Sequence, residues 1–134
     1  MVHSAATAIY AVTVTDAVKG SSVEVPGITA QDDVAADFFQ VLASPIRLAI
    51  VRMLLDGERY VGDLMTELGI AQPRLSNHLA CLRQCGFVQS RREGTYVYYG
   101  LAEPHVADMV RLAETMARSR ASALTQCEVI RSER

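Results

Sequence analysis

From Thr29 onward, apolar residues recur at the three-and-four spacing of helices. Val34, Phe38, Val41 and Leu42 fall at i, i+4, i+7 and i+8 behind a Thr29/Asp32 capping-box pattern, so a first helix is expected over 30–43. Ser44-Pro45 then supplies an N-cap and a first-turn proline. Ile46, Ile50, Met53 and Leu54 continue the apolar spacing until Asp56-Gly57 stops this second helix. Val61, Leu64 and Leu68 mark a short third helix that ends at Gly69, and Pro73 opens a fourth with Leu75, Leu79 and Leu82 as its stripe. The pattern then changes period. Phe87-Val88-Gln89-Ser90 and Thr95-Tyr96-Val97-Tyr98-Tyr99 are β-prone runs around the charged turn Arg91-Arg92-Glu93-Gly94, which reads as a hairpin. Pro104 opens a last helix, whose band of Val106, Met109, Val110, Ala113, Met116 and Ala117 runs to about residue 120.

Two short helices joined by a tight glycine-containing turn, followed by a hairpin, predict a mainly α fold with a β-hairpin wing. This is a winged helix-turn-helix, in which the second helix of the pair is offered to the major groove of DNA. The chain has 134 residues, enough for one core without disulfide staples. The expected organisation is an arm over 1–28 without sustained period and ending in Pro26-Gly27, a domain over 29–122, and a tail over 123–134. So apolar a terminal helix needs a partner surface, and a homodimer through the terminal helices is expected.

Composition and charge refine this picture. Hydrophobic residues at 50% and charged ones at 21% argue against wholesale disorder. The run Ala5–Val14 is interrupted by Thr7 and Thr13 and has no basic residue before it, so neither a signal peptide nor a membrane span is expected and the protein reads as cytoplasmic. A net charge of −2 conceals its distribution: Gln72 to Tyr99 holds Arg74, Arg83, Arg91 and Arg92 against Glu93 alone, a local +3. A Gly-rich phosphate loop, paired carboxylates and a nucleophile with its base are all missing from the pattern, so an enzyme is not expected.

Cys81 and Cys85 lie four residues apart on the fourth helix. At that spacing they share one side of the helix, with Cβ atoms roughly 5–6 Å apart. Taking Leu79 as the direction of the core, both lie well away from the apolar stripe. From the residues alone, three readings stay open: small half-buried side chains, a metal-ligating pair, or a redox pair.

Leu42-Ala43-Ser44-Pro45-Ile46-Arg47-Leu48, Gln72-Pro73-Arg74-Leu75-Ser76-Asn77-His78-Leu79, Gly86-Phe87-Val88 and Arg92-Glu93-Gly94-Thr95-Tyr96-Val97-Tyr98-Tyr99 together resemble the ArsR/SmtB family of winged-helix repressors. The resemblance covers about residues 34–120. It implies a homodimeric repressor that leaves its operator when an effector, most often a toxic metal ion, binds. A thiolate site common in the family follows an E-x-C-x-C-D-L pattern; here Tyr60 and Gly62 occupy the cysteine positions, so that site is not expected. A second site opens the last helix; Glu103 and His105 loosely match its first half, but Met116 and Ser119 replace the second half. Cys81-Leu82-Arg83-Gln84-Cys85 resembles the C-L-R-x-C run of the CmtR branch, which senses cadmium and lead and draws a third cysteine from the C-terminal tail, where this chain has Cys127. The implied metal ligands are Cys81, Cys85 and Cys127, and the implied effectors are Cd(II) or Pb(II), with As(III) also accepted by such a set. A thiol redox or persulfide sensor of the same fold is the alternative.

Position on the helix and hairpin then names the expected DNA contacts. Gln72, Arg74, Ser76, Asn77 and His78 occupy the turns that enter the groove, while Arg91, Arg92, Thr95 and Tyr96 at the hairpin tip face phosphate or the minor groove.

Overall fold

The computed structural model describes residues 25–132. The arm expected over 1–28 lies outside the described residues except for its last four, as does the run Ala5–Val14. The chain divides into two compact units, one ending at Pro45 and the other beginning at Ile46.

In the first unit, Gly27 adopts φ 96° in a turn closed by the Ile28 N–H donating to the Val25 carbonyl at 3.0 Å. Helix α1 follows over Ala30–Leu42. Its capping box forms as the sequence predicts: the Asp32 N–H donates to Thr29 Oγ1 at 3.3 Å, and the Thr29 N–H donates to Asp32 Oδ2 at 2.8 Å. These bonds to Thr29 hold the Asp32 carboxyl below the usual aspartate range. Phe38 and Phe39 stay exposed and meet edge to face, with ring centroids 5.6 Å apart.

The second unit carries the helix-turn-helix and the wing. In chain order it contains α2 (Pro45–Met53, entered from the first unit), β1 (Arg59–Tyr60), α3 (Val61–Leu68), α4 (Gln72–Gln84), β2 (Val88–Glu93), β3 (Tyr96–Leu101), α5 (Pro104–Ser119), α6 (Ala121–Gln126) and α7 (Glu128–Ser132). Ile50, Val51, Leu54, Leu64, Leu75, Leu79, Leu82, Phe87, Val88, Val106 and Val110 form its core. Every apolar stripe residue assigned to α4 is therefore buried. Gly69 ends α3 in the left-handed region at φ 63°, where a side chain would be strained.

Three antiparallel strands make one sheet in the order β1-β3-β2. Arg59 pairs with Tyr99 and Tyr60 with Tyr98, while β2 runs from Val88 opposite Leu101 to Glu93 opposite Tyr96. Because side chains alternate across a strand, Tyr60, Arg91, Glu93, Tyr96 and Tyr98 share one face, and Arg92, Val97 and Tyr99 share the other. The two-residue β1 escaped the sequence pattern because it is too short to alternate. The helices α6 and α7 lie in the segment expected to be a tail. On α5, Val106 and Val110 are buried but Leu112 and Met116 are exposed, so only the first part of the band is covered within one chain. No single described helix is long and apolar enough to cross a membrane.

Candidate functional site

Helix α4 starts at Gln72 behind Ala71, which offers no side-chain cap, with Pro73 in its first turn. Leu75, Leu79 and Leu82 anchor one side of it in the core, which turns Gln72, Arg74, Ser76 and Asn77 to solvent. His78 is half-buried. Desolvation holds its imidazole below the ordinary histidine value, and Arg47 and Arg74 add to this through their charge. The ring is therefore neutral at pH 7.

The wing stands beside this helix. Gln72, Ser76 and Leu79 of α4 and Thr95, Val97 and Tyr99 of the hairpin line a common cleft of about 280 Å³. Tyr60 and Val61 complete its lining, and Gln72, Ser76 and Thr95 are its polar contributors from helix and hairpin.

The two adjacent arginines of the wing part company. The Arg91 guanidinium donates to Glu58 Oε2 at 2.8 Å and to Glu93 Oε2 at 2.8 Å, and lies 4.8 Å from the centre of the Tyr98 ring. Its pKa is raised by these partners, and that of Glu58 is lowered by the bond from Arg91. Arg92 points to the other face, the one shared with the cleft residues Val97 and Tyr99. Among the described residues Arg74 and Arg92 form no ion pair. Sequence reasoning treated Arg91 and Arg92 alike, and it missed Glu58, which lies outside the basic segment and reaches Arg91 only through the sheet. Tyr96 keeps half of its surface exposed and packs against Tyr60, which the sequence named only as standing where some relatives have a cysteine.

At the opposite end of α4 sit the two cysteines. The Cys85 N–H donates to the Cys81 carbonyl at 3.0 Å, and the helix closes with Gly86 N–H to Arg83 and Phe87 N–H to Leu82, the bond pair of a Schellman motif. Gly86 takes φ 80° there, and the buried Phe87 fixes the turn. Cys85 is therefore the capping residue, exposed, while Cys81 one turn back is half-buried. Burial pushes the Cys85 thiol up, and the neighbouring Cys81 adds to the rise, while Arg47 pulls the other way. Cys127 lies half-buried at the junction of α6 and α7. All three cysteines are free, and no group of three or more His, Cys, Asp or Glu residues capable of holding an ion forms among the described residues. Cys81 and Cys85 thus come together, and Cys127 does not join them within one chain.

The model of the bacterial regulatory proteins of the arsR family matches residues 44–90, which span α2 to β2. A probable mercury resistance operon repressor of Streptomyces lividans is 44% identical over 101 residues, 75% of this chain and 81% of that protein. The chain belongs to the ArsR family. The HTH-type transcriptional regulator CmtR of Mycobacterium tuberculosis is 47% identical over 68 residues, 51% of this chain and 58% of that protein. Among solved structures, that of M. tuberculosis Rv0081 superposes with a TM-score of 0.65 at 31% identity, covering 75% of this chain and 99% of that one. The homodimeric winged helix-turn-helix DNA-binding domain from Mycobacterium bovis gives 0.63 at 32% identity, covering 74% and 95%. As an ArsR-family member the protein is a transcriptional repressor with a winged helix-turn-helix DNA-binding fold, and not an enzyme.

Proposed function

We propose that this repressor binds operator DNA as a homodimer through α4 and the wing, and that a soft, thiophilic metal ion bound by Cys81 and Cys85, with Cys127 as third ligand, releases it. One observation carries the reading. Two cysteines one turn apart, Cys81 in the last turn and Cys85 at the cap, close the helix whose other end is offered to the groove, so a ligand held there acts on the reading element itself. The fit to a metal is chemical: two adjacent sulfurs suit soft ions such as Cd(II) or Pb(II), and a third thiolate without a fourth protein ligand suits large ones and As(III). When bound, the ion supplies sulfur bonds that tie the end of α4 to the segment carrying Cys127, from the same chain or the partner. Because no third ligand stands by the pair among the described residues of one chain, bringing Cys127 into the site requires its segment to move or a second chain to provide it. A bias of about 1–3 kcal/mol between dimer geometries makes a working switch. The exposed Phe38 and Phe39 of one unit, and the exposed Leu112 and Met116 of the other, are the apolar surfaces a second chain would cover. The relatives support this direction, a probable mercury resistance operon repressor among them.

The test uses an operator selected by the protein from random duplexes. Fluorescence anisotropy of that duplex is followed as Cd(II), Pb(II) or As(III) is added to the reduced protein and to Cys81→Ser, Cys85→Ser and Cys127→Ser. The reading expects release in the parent and none in the three variants. Release by oxidant alone, with Cys127 dispensable, would assign the thiol pair to redox sensing instead.

A further inference from the structure

We infer that Tyr60 and Gly62 are positioning residues for the wing: the Tyr60 ring lies over Gly62 and clamps Tyr96 and Tyr98, which fixes Arg92 beside the reading helix. The inference rests on α4 and the hairpin being the DNA face.

Glycine 62 is the first sign. It stands in the first turn of α3 with ordinary helical backbone, where glycine is less stable than alanine, and it is absent from the positive-φ glycines. Its conformation therefore does not require a glycine. Its space does: a Cβ there would lie 3.0 Å from Tyr60 Cζ and 3.1 Å from Cδ1, and closer still to Cε1. The ring of Tyr60 occupies the volume that any other residue would fill.

The second sign is what that ring touches. Tyr60 is the N-cap of α3, yet its side chain makes no capping bond. It meets Tyr96 at 5.1 Å between centroids with planes at 64°, and Tyr98 at 6.0 Å with planes at 54°. Tyr98 in turn carries the Arg91 guanidinium, which Glu58 and Glu93 hold. A continuous ladder thus runs along one face of the sheet from Glu58, beside the base of the hairpin, to Tyr96 at its tip.

The third sign is how little else holds the tip. The pairing of β1 with β3 ends at Tyr98, and beyond it the hairpin is a two-stranded ribbon, which is marginal alone. Arg92, opposite Val97, lies in that part and on the cleft side. The aromatic clamp on one face therefore sets where the cation on the other face stands. It also connects the wing to the start of α3, the partner of the reading helix.

The experiment measures the salt dependence of operator binding by the full-length reduced protein. Arg92→Ala is expected to lower the slope of log affinity against log salt by about 0.9 per wing, the value of one phosphate contact. Tyr60→Ala, Tyr60→Leu and Gly62→Ala should lower it similarly, adding nothing when combined with Arg92→Ala, whereas Tyr60→Phe should keep the parent slope. Near-ultraviolet circular dichroism and thermal melting report on folding, and Tyr60→Leu retains apolar volume. A folded Tyr60→Leu variant with the parent slope, or losses that add to that of Arg92→Ala, overturns the clamp. Loss of metal-triggered release with these slopes intact would instead count against the proposed sensing and leave the clamp standing.

Discussion

Arg91 and Arg92 are neighbours in sequence with opposite expected contributions to DNA binding, and substituting each in turn exposes the difference. Arg92 pairs with Val97 on the sheet face that Val97 and Tyr99 share, is exposed, and has no ion pair among the described residues, so its charge is available to a phosphate. Arg91 is held at 2.8 Å by Glu58 and at 2.8 Å by Glu93 on the far face, so its charge is already balanced. Each phosphate neutralised contributes about 0.9 to the salt slope, so Arg92→Ala in a dimer with two wings should reduce it by about 1.8. Between about 50 and 200 mM salt, a fourfold range, that reduction makes the parent lose roughly tenfold more affinity than the variant. Arg91→Gln should change the slope by less than half as much. Both positions are exposed, so neither substitution should alter the fold. The assay is anisotropy of a labelled operator at four or more salt concentrations. Equal losses for the two arginines, or an unchanged slope for Arg92→Ala, would refute the assignment of faces.

Four further outcomes follow from the packing and the titrating groups. Leu82→Ala, at a fully buried position, should cost about 2–5 kcal/mol in urea unfolding, and a cost below about 1 would contradict its place in the core. Gly86→Ala meets no neighbouring atom but must hold φ 80°, so it should cost roughly 1–2 kcal/mol and loosen the turn that positions Cys85, read as a lower urea midpoint and weaker Cd(II) binding. His78 has a folded value below its ordinary 6.5, so the stability that its neutral ring contributes is complete above pH 6.5 and is lost as pH falls; urea midpoints between pH 7.5 and 5.5 should drop more in the parent than in His78→Gln. Cys85 is shifted the other way, so its contribution to stability is present below its ordinary 9.0 and lost as pH rises through the higher folded value; because a metal must displace the proton, Cd(II) affinity should climb from pH 6.5 to 8, and a flat profile would contradict a protonated Cys85 thiol.

Much of this architecture could be read from local chemistry. The capping box at Thr29 and Asp32, the proline at position 45, the glycine at 69 and the leucine stripe of α4 are each decided by residues within one or two turns. Their elements accordingly end within a residue or two of expectation. What escaped the sequence depends on partners far along the chain. The sequence pattern put Arg91 and Arg92 in the turn, but β2 extends through Glu93, so the two alternate across the strand, and only the register of β2 against β3, and of β3 against Tyr60, tells which one shares a face with Val97 and Tyr99. Glu58 neutralises Arg91 across 33 positions, so a charge count over 72–99 overstates the cation available to DNA. Tyr60 and Gly62 entered the reading only as places where a cysteine would stand in some relatives, and their mutual packing is visible only with the ring in place. The short helices α6 and α7 lack a buried residue, so no apolar period announced them. The four-residue spacing of Cys81 and Cys85 was legible, as was their position off the apolar stripe. The Schellman turn that makes Cys85 the cap follows from Gly86, a signal present in the sequence next to the second cysteine.

The central claim is that thiolate capture of a metal at the end of α4 releases DNA from its other end. The measurement is one titration of the reduced protein, bound to labelled operator, with Cd(II), recording thiolate-to-metal absorption in the ultraviolet and anisotropy on the same sample. The account predicts a charge-transfer band that saturates near one ion per subunit and a fall in anisotropy with the same breakpoint, both lost in Cys81→Ser and Cys85→Ser. A band that saturates while the anisotropy stays constant would contradict it.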